Sequence, residues 1–236
     1  MSNDRLDHQF TTPAGDEIGA LLRRPASGTG PGLVLVQEIF GVSDYLAFSA
    51  DRLARLGYVV MAPDLYWRTE VGADISDNDL ERAFGFASEL NPEAAVGDLV
   101  AALGHLHDVE GVAGGTGILG FCLGGALAYH VASLAEPDTC VSYYGSAIPD
   151  ALDAMSGITC PILFHFGEQD QYTPVASVDA VEAATQGMDT VQFERYPTGG
   201  HAFDNAFSEQ FHQPRNAVTA WGLTAQFLQR TLPPNR

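Results

Sequence analysis

Apolar and polar positions along the 236-residue chain switch repeatedly between two periods. Residues 32–38, GLVLVQE, form a short apolar run that predicts a buried strand. Residues 43–57, SDYLAFSADRLARLG, carry apolar side chains at helical spacing, with Ser43 as a natural N-cap and Gly57 just past the end. YVVMAP at 58–63 predicts a second strand. NPEAAVGDLVAALGHLHDV at 91–109 predicts a helix capped by Asn91, with Pro92 at its first position. The same alternation predicts strands at 116–120, 140–145, 160–167 and 190–197. It predicts helices at 123–134, 173–187 (Thr173 and Pro174 at the start) and 214–232.

Apolar strands alternating with helices predict an α/β chain whose mostly parallel central sheet is covered by helices on both faces. With no repeat, low-complexity tract or linker, residues 1–236 read as one domain. Functional groups of such sheets gather at the carboxyl ends of the strands. Residues 67–90 are the least regular stretch and are expected to contribute a lid over those ends. The glycines of GVAGGTG at 111–117 lack the flanking context of a dinucleotide-binding loop and suggest a turn.

Composition narrows the class. Net charge is −19, and all 11 basic residues are arginine. Such a surface repels nucleic acid and anionic membranes, both of which are bound through basic patches. Three cysteines, at 122, 140 and 160, are too few and odd in number for a disulfide framework. The N-terminus lacks an apolar signal region, and no run reaches the roughly 18 apolar residues of a membrane span. The expectation is a reduced, cytoplasmic protein, monomeric or a small homo-oligomer.

The candidate chemistry lies in GILGFCLGGA. Gly120, Cys122 and Gly124 form a G-x-C-x-G motif where a predicted strand passes into a predicted helix. That is the setting of a nucleophile elbow, with sulfur in place of the more usual hydroxyl. Glycines let the turn tighten and let helix pass close to strand. The helix N-terminus favours negative charge on the sulfur. Alone, the motif equally suits a glycine-rich turn with an inert thiol. An elbow, however, requires an acid and then a histidine further along the chain. Asp170 in HFGEQDQYTP and His201 in YPTGGHAF meet that order, each in a loop after a predicted strand. Cys122, His201 and Asp170 then read as nucleophile, general base and acid, and orienter of the imidazole.

A free thiol with a pKa near 8.5 is only about 3% ionised at pH 7. Glu38, in VQEIFGV, is placed to take the thiol proton, to hold it until substrate arrives, or simply to brace the loop. The backbone N–H groups of Ile39 and Leu123 occupy the positions from which an elbow fold builds its oxyanion hole.

The chain resembles the dienelactone hydrolase (carboxymethylenebutenolidase) family. The resemblance rests on QEIFGV at 37–42, GYVVMAPDLY at 57–66, GFCLGGALA at 120–128, YYG at 143–145, LFHFGEQD at 163–170 and GGHAF at 199–203. It implies an α/β-hydrolase fold without a large cap domain, the triad Cys122, Asp170 and His201, and Glu38 as the carboxylate that activates the thiol. It implies a small ester or lactone as substrate, and a triad of this kind needs neither cofactor nor metal. Tyr144, Phe203, Arg82 and Asn205 fall at candidate substrate-binding positions. One departure concerns the two arginines that hold a substrate carboxylate in well-known members. Arg82 is the candidate for one; Asn205 stands where the other is expected.

The remaining candidates carry little chemistry. His105 and His107 lie two apart on a helix and do not share a face. Cys140 and Cys160 fall in strands and read as core residues; His165, at a strand end, reads as structural. Three functions stay open: a cysteine-dependent ester or lactone hydrolase, a general carboxylesterase or thioesterase with the same triad, and a non-catalytic binding protein on this fold.

Overall fold

The computed structural model of the chain describes residues 5–234. Eight strands form one sheet in the order β1-β2-β4-β3-β5-β6-β7-β8. They are β1 (His8–Thr11), β2 (Glu17–Arg23), β3 (Gly30–Val36), β4 (Val59–Pro63), β5 (Val112–Phe121), β6 (Thr139–Tyr143), β7 (Ile162–Gly167) and β8 (Val191–Tyr196). From β4 to β8 every pairing is parallel; β1 and β2 add an antiparallel edge. The helices are α1 (Asp44–Arg55), α2 (Leu80–Glu89), α3 (Pro92–Leu106), α4 (Leu123–Ala135), α5 (Val175–Ala184) and α6 (Pro214–Thr231), with a kinked 3₁₀ segment at Ile148–Gly157.

Alternate residues of each central strand point to opposite faces and so feed two cores. Val34 and Val36 of β3 belong to one core with Leu99 and Leu103 of α3 and residues of α4, which extends to Val178 of α5. Leu33 and Leu35 belong to the core on the other side, with Leu46 and Leu53 of α1, which extends to Leu228 of α6. Each such fully buried aliphatic side chain stabilises the fold by about 1.5–3 kcal/mol. The predicted caps form: Ser43 Oγ accepts from Leu46 N at 3.3 Å, and Asn91 Oδ1 from Ala94 N at 3.0 Å. These layers are those of the α/β-hydrolase fold, and among the described residues no large cap domain interrupts them.

Three expectations need correction. The glycines at 112–117 lie within β5 rather than in a turn. Gly30 pairs with Val112 and Gly32 with Thr116, so the register slips there, and Gly114 takes a φ of +106°. Small residues with free φ let an irregular strand stay paired. The helix expected over 173–187 spans Val175–Ala184, with Thr173 and Pro174 before it and Pro174 at the cap position. Residues 67–90 contain a regular helix, α2, whose Leu80, Phe84 and Ala87 overhang the strand ends. A third cluster, including Phe40, Tyr66, Ile75 and Ala83, ties that helix to the body.

Candidate active site

Cys122 sits between β5 and α4 at φ +54°, ψ −118°, a conformation that costs a non-glycine residue of order 1–3 kcal/mol. Two contacts secure it: Cys122 N donates to Tyr143 O at 3.0 Å, and Ala126 N to Cys122 O at 3.1 Å. The flanking glycines are required sterically. A Cβ on Gly120 would lie 2.0 Å from Gly124 O, and one on Gly124 would lie 2.5 Å from the carbonyl oxygens of Val36 and Gln37. The turn holds the sulfur at the sheet's carboxyl edge with α4 opening behind it.

The loops after β7 and β8 complete the arrangement. Cys122 Sγ lies 3.0 Å from His201 Nε2, and His201 Nδ1 lies 2.7 Å from Asp170 Oδ2. Asp170 is itself held: its Oδ1 accepts from Tyr172 N at 2.7 Å and Thr173 N at 3.3 Å. The His201 ring meets Tyr172 edge to face, centroids 4.8 Å apart. Burial alone would push the His201 pKa down. The neighbouring Cys122 sulfur and Asp170 carboxylate outweigh it and hold the imidazolium well above the usual histidine range.

Glu38 follows β3 and lines the same cavity as Cys122 and His201. Its Oε2 accepts from Asn205 Nδ2 at 2.8 Å and its Oε1 from the Tyr144 hydroxyl at 3.4 Å. Burial pushes its carboxyl up to about 7; attraction to His201 and the Asn205 hydrogen bond resist that rise, while Asp204 adds to it. Ile39 and Leu123 both border the cavity beside the sulfur. The Ile39 carbonyl accepts from the Tyr66 hydroxyl at 3.0 Å, which pins this loop.

The cavity is about 160 Å³ and mostly apolar, with Phe40, Leu80, Phe84, Tyr172 and Phe211 in its wall. Of the side chains expected to bind substrate, none is part of that wall. Arg82 points to Glu70, with Nη2 2.8 and 2.9 Å from its two carboxylate oxygens, and lies over the Phe86 ring. Asn205 is buried and committed to Glu38. Tyr144 is buried beneath the site, and Phe203 is buried against Tyr144 and Tyr196. Asn205, Tyr144 and Phe203 are thus buried around the site rather than in its wall, whereas Arg82 is exposed on α2. Sequence reasoning passed over Phe84 and Tyr172 at the mouth, and a buried charge cluster behind Glu38. There Asp204 Oδ2 accepts from Tyr45 at 2.6 Å and from Arg52 at 2.5 Å, and Arg52 stacks on Trp221. The signal for the cluster was a charged residue inside the apolar run HAFDNAF.

The secondary candidates lie elsewhere. His165 is buried between Tyr196 and Thr224, and burial drops its pKa to about 3. Cys140 and Cys160 are in the core. His105 meets His8 at 3.0 Å, while His107 lies near Thr116. Among the described residues no three His, Cys, Asp or Glu side chains converge as metal ligands, and no helix is long and apolar enough to cross a membrane.

The sequence model of the dienelactone hydrolase family matches residues 18–232. The chain belongs to the dienelactone hydrolase family. It is 34% identical over 222 residues to a carboxymethylenebutenolidase of Pseudomonas sp. (strain P51), covering 93% of this chain and 92% of that one. It is 34% identical over 200 residues to the carboxymethylenebutenolidase of Pseudomonas putida, covering 84% and 85%. Among solved structures, a Klebsiella pneumoniae protein assigned to the dienelactone hydrolases superposes with a TM-score of 0.80 at 26% identity, covering 94% of this chain and 98% of that one. The dienelactone hydrolase of Anabaena variabilis superposes at 0.68 with 17% identity, covering 95% and 98%, a likeness of fold. This family member is therefore a hydrolase acting on ester or lactone bonds.

Proposed function

We propose that this hydrolase cleaves its ester or lactone through an acyl-enzyme on Cys122. The observation that carries the reading is the chain of contacts from Cys122 Sγ through His201 to Asp170, at 3.0 and 2.7 Å, opening onto one cavity. The thiol proton passes to His201 Nε2 or to the Glu38 carboxylate, whose pKa of about 7 suits a proton acceptor near neutral pH. The sulfur attacks the carbonyl carbon, and the oxyanion forms toward the N–H groups of Ile39 and Leu123. Collapse of the tetrahedral intermediate expels the alkoxide, which takes back the thiol proton from the group that received it, His201 or Glu38. Water, deprotonated by His201, then attacks the thioester and releases the acid and the Cys122 sulfur. For a lactone, both product groups stay on one molecule.

Asp170 keeps Nδ1 of the imidazole occupied, so that Nε2 faces the sulfur. The test is mass spectrometry of the intact protein quenched during turnover of an activated ester. The reading requires an acyl adduct on the Cys122 peptide and loss of turnover in Cys122→Ala. Turnover undiminished in that variant would refute it.

A further inference from the structure

We propose that the cavity beside Cys122 takes an uncharged ester or lactone bearing one apolar group about the size of a single aromatic ring, and that it disfavours a substrate carrying a carboxylate there. The assignment rests on the acyl-enzyme reading above and adds the chemical class of substrate.

Size and lining come first. A cavity of about 150 Å³ walled by Leu, Ile and Phe holds benzene. This one is about 160 Å³, and Ile39, Phe40, Leu80, Phe84 and Phe211 dominate its wall. At the mouth, Phe84 and Tyr172 are 45% and 39% exposed with ring centroids 6.2 Å apart, apolar surface that a bound ring would cover.

Charge decides the rest. The ionisable residues lining the cavity are Glu38, Cys122, Tyr172 and His201; none is an arginine, and the chain has no lysine. His201 is committed to Asp170 and Cys122. Three arginines come into question on position, and each is tied elsewhere. Arg82 shares α2 with Leu80 and Phe84, yet both oxygens of Glu70 hold it. Arg52 is paired with Asp204 behind the site. Arg68 is paired with Asp98. Asn205 is engaged, its Nδ2 donating to Glu38 Oε2 and its Oδ1 accepting from Phe207 N at 3.1 Å, and it carries no charge. A substrate carboxylate in this cavity would lose its water, meet no free cation and face the Glu38 carboxyl. An unpaired polar group left in such a place costs about 10- to 100-fold in affinity, more when it is charged.

The matched probes are methyl 4-acetoxybenzoate and 4-acetoxybenzoate, which differ in whether the ring carries a masked or a free carboxylate. Each kcat/KM is divided by that ester's hydroxide-catalysed rate, and both are measured in wild type, Ala87→Arg and Cys122→Ala. Ala87 lines the cavity on α2, so an arginine there supplies the missing cation. The expected result is a preference of wild type for the neutral ester of at least about tenfold, and a shift of that ratio toward the anion by about tenfold or more in Ala87→Arg. A wild type that takes both equally, or prefers the anion, overturns the assignment. So does a ratio unmoved by Ala87→Arg, because the ring then lies outside this cavity. Hydrolysis that persists in Cys122→Ala overturns the acyl-enzyme reading itself, and the assignment with it.

Discussion

Replacing Glu38 by Gln should make the protein more stable at alkaline pH while making it a poorer catalyst. Glu38 is 4% exposed, and burial raises its carboxyl from 4.5 to about 7. Because the folded value lies above the unfolded one, the native state keeps a proton through this window that the unfolded chain has released. Stability therefore falls as pH rises from about 4.5 through about 7. At ~1.4 kcal/mol per pH unit, the loss from this one group approaches about 3 kcal/mol above pH 8. Glutamine keeps the size, an acceptor for Asn205 Nδ2 and a polar group facing Tyr144, and has no charge to bury. The assay is urea denaturation of wild type and Glu38→Gln at pH 5 and pH 8.5. The wild type should lose up to about 3 kcal/mol more than the variant between the two pH values, equivalent to about 6–12 °C in Tm at this chain length. The variant's kcat/KM should fall, and its pH profile should lack the contribution from a group near 7 that the wild type shows. Stability curves that run parallel from pH 5 to 8.5 would refute the argument, since they would mean that Glu38 titrates alike in the folded and unfolded chains.

Limited iodoacetamide should label Cys122 first and remove activity in step. Burial pushes the Cys140 thiol up strongly and Cys160 up to about 11, so early labelling of either with activity intact would count against the assignment of the nucleophile. His201→Ala and Asp170→Asn should each lower kcat by about 10³-fold or more with circular dichroism unchanged; near wild-type kcat in both would remove the triad. Gly120→Ala should cost about 3 kcal/mol or more in denaturation, because its Cβ would meet the Gly124 carbonyl at 2.0 Å, and wild-type stability would mean that the elbow is looser than described. Gly97→Ala is the contrasting case. Nothing lies within 4 Å of that Cβ in the exposed interior of α3, so it should stabilise by about 0.5–1 kcal/mol, and a loss would contradict the geometry.

The central strands and the large helices were legible in the chain because each is written in a local period: apolar runs for β3 and β7, helical spacing for α1, and Ser43 and Asn91 where caps are needed. The elbow was legible for the same reason, since Gly120, Cys122 and Gly124 are neighbours in sequence. The order of Asp170 and His201 after it placed both in loops at the sheet's carboxyl edge. Strands β1 and β2 were missed. Their four and seven residues carry weak alternation, and β2 is stabilised by pairing with β4, some forty residues away. The extension of β5 through 112–117 was missed because glycines signal a turn locally, and only the partner strand β3 holds them extended.

Side-chain partnerships lay furthest beyond the sequence. Whether Arg82 faces the cavity or Glu70, and whether Asn205 binds substrate or Glu38, depends on which of several reachable partners the packing brings within hydrogen-bond distance. Asn205 and Glu38 are 167 positions apart. Local periodicity specifies which face of an element is buried. The electrostatics of a buried carboxyl, and the absence of a cation from a cavity wall, arise only when distant segments exclude water together.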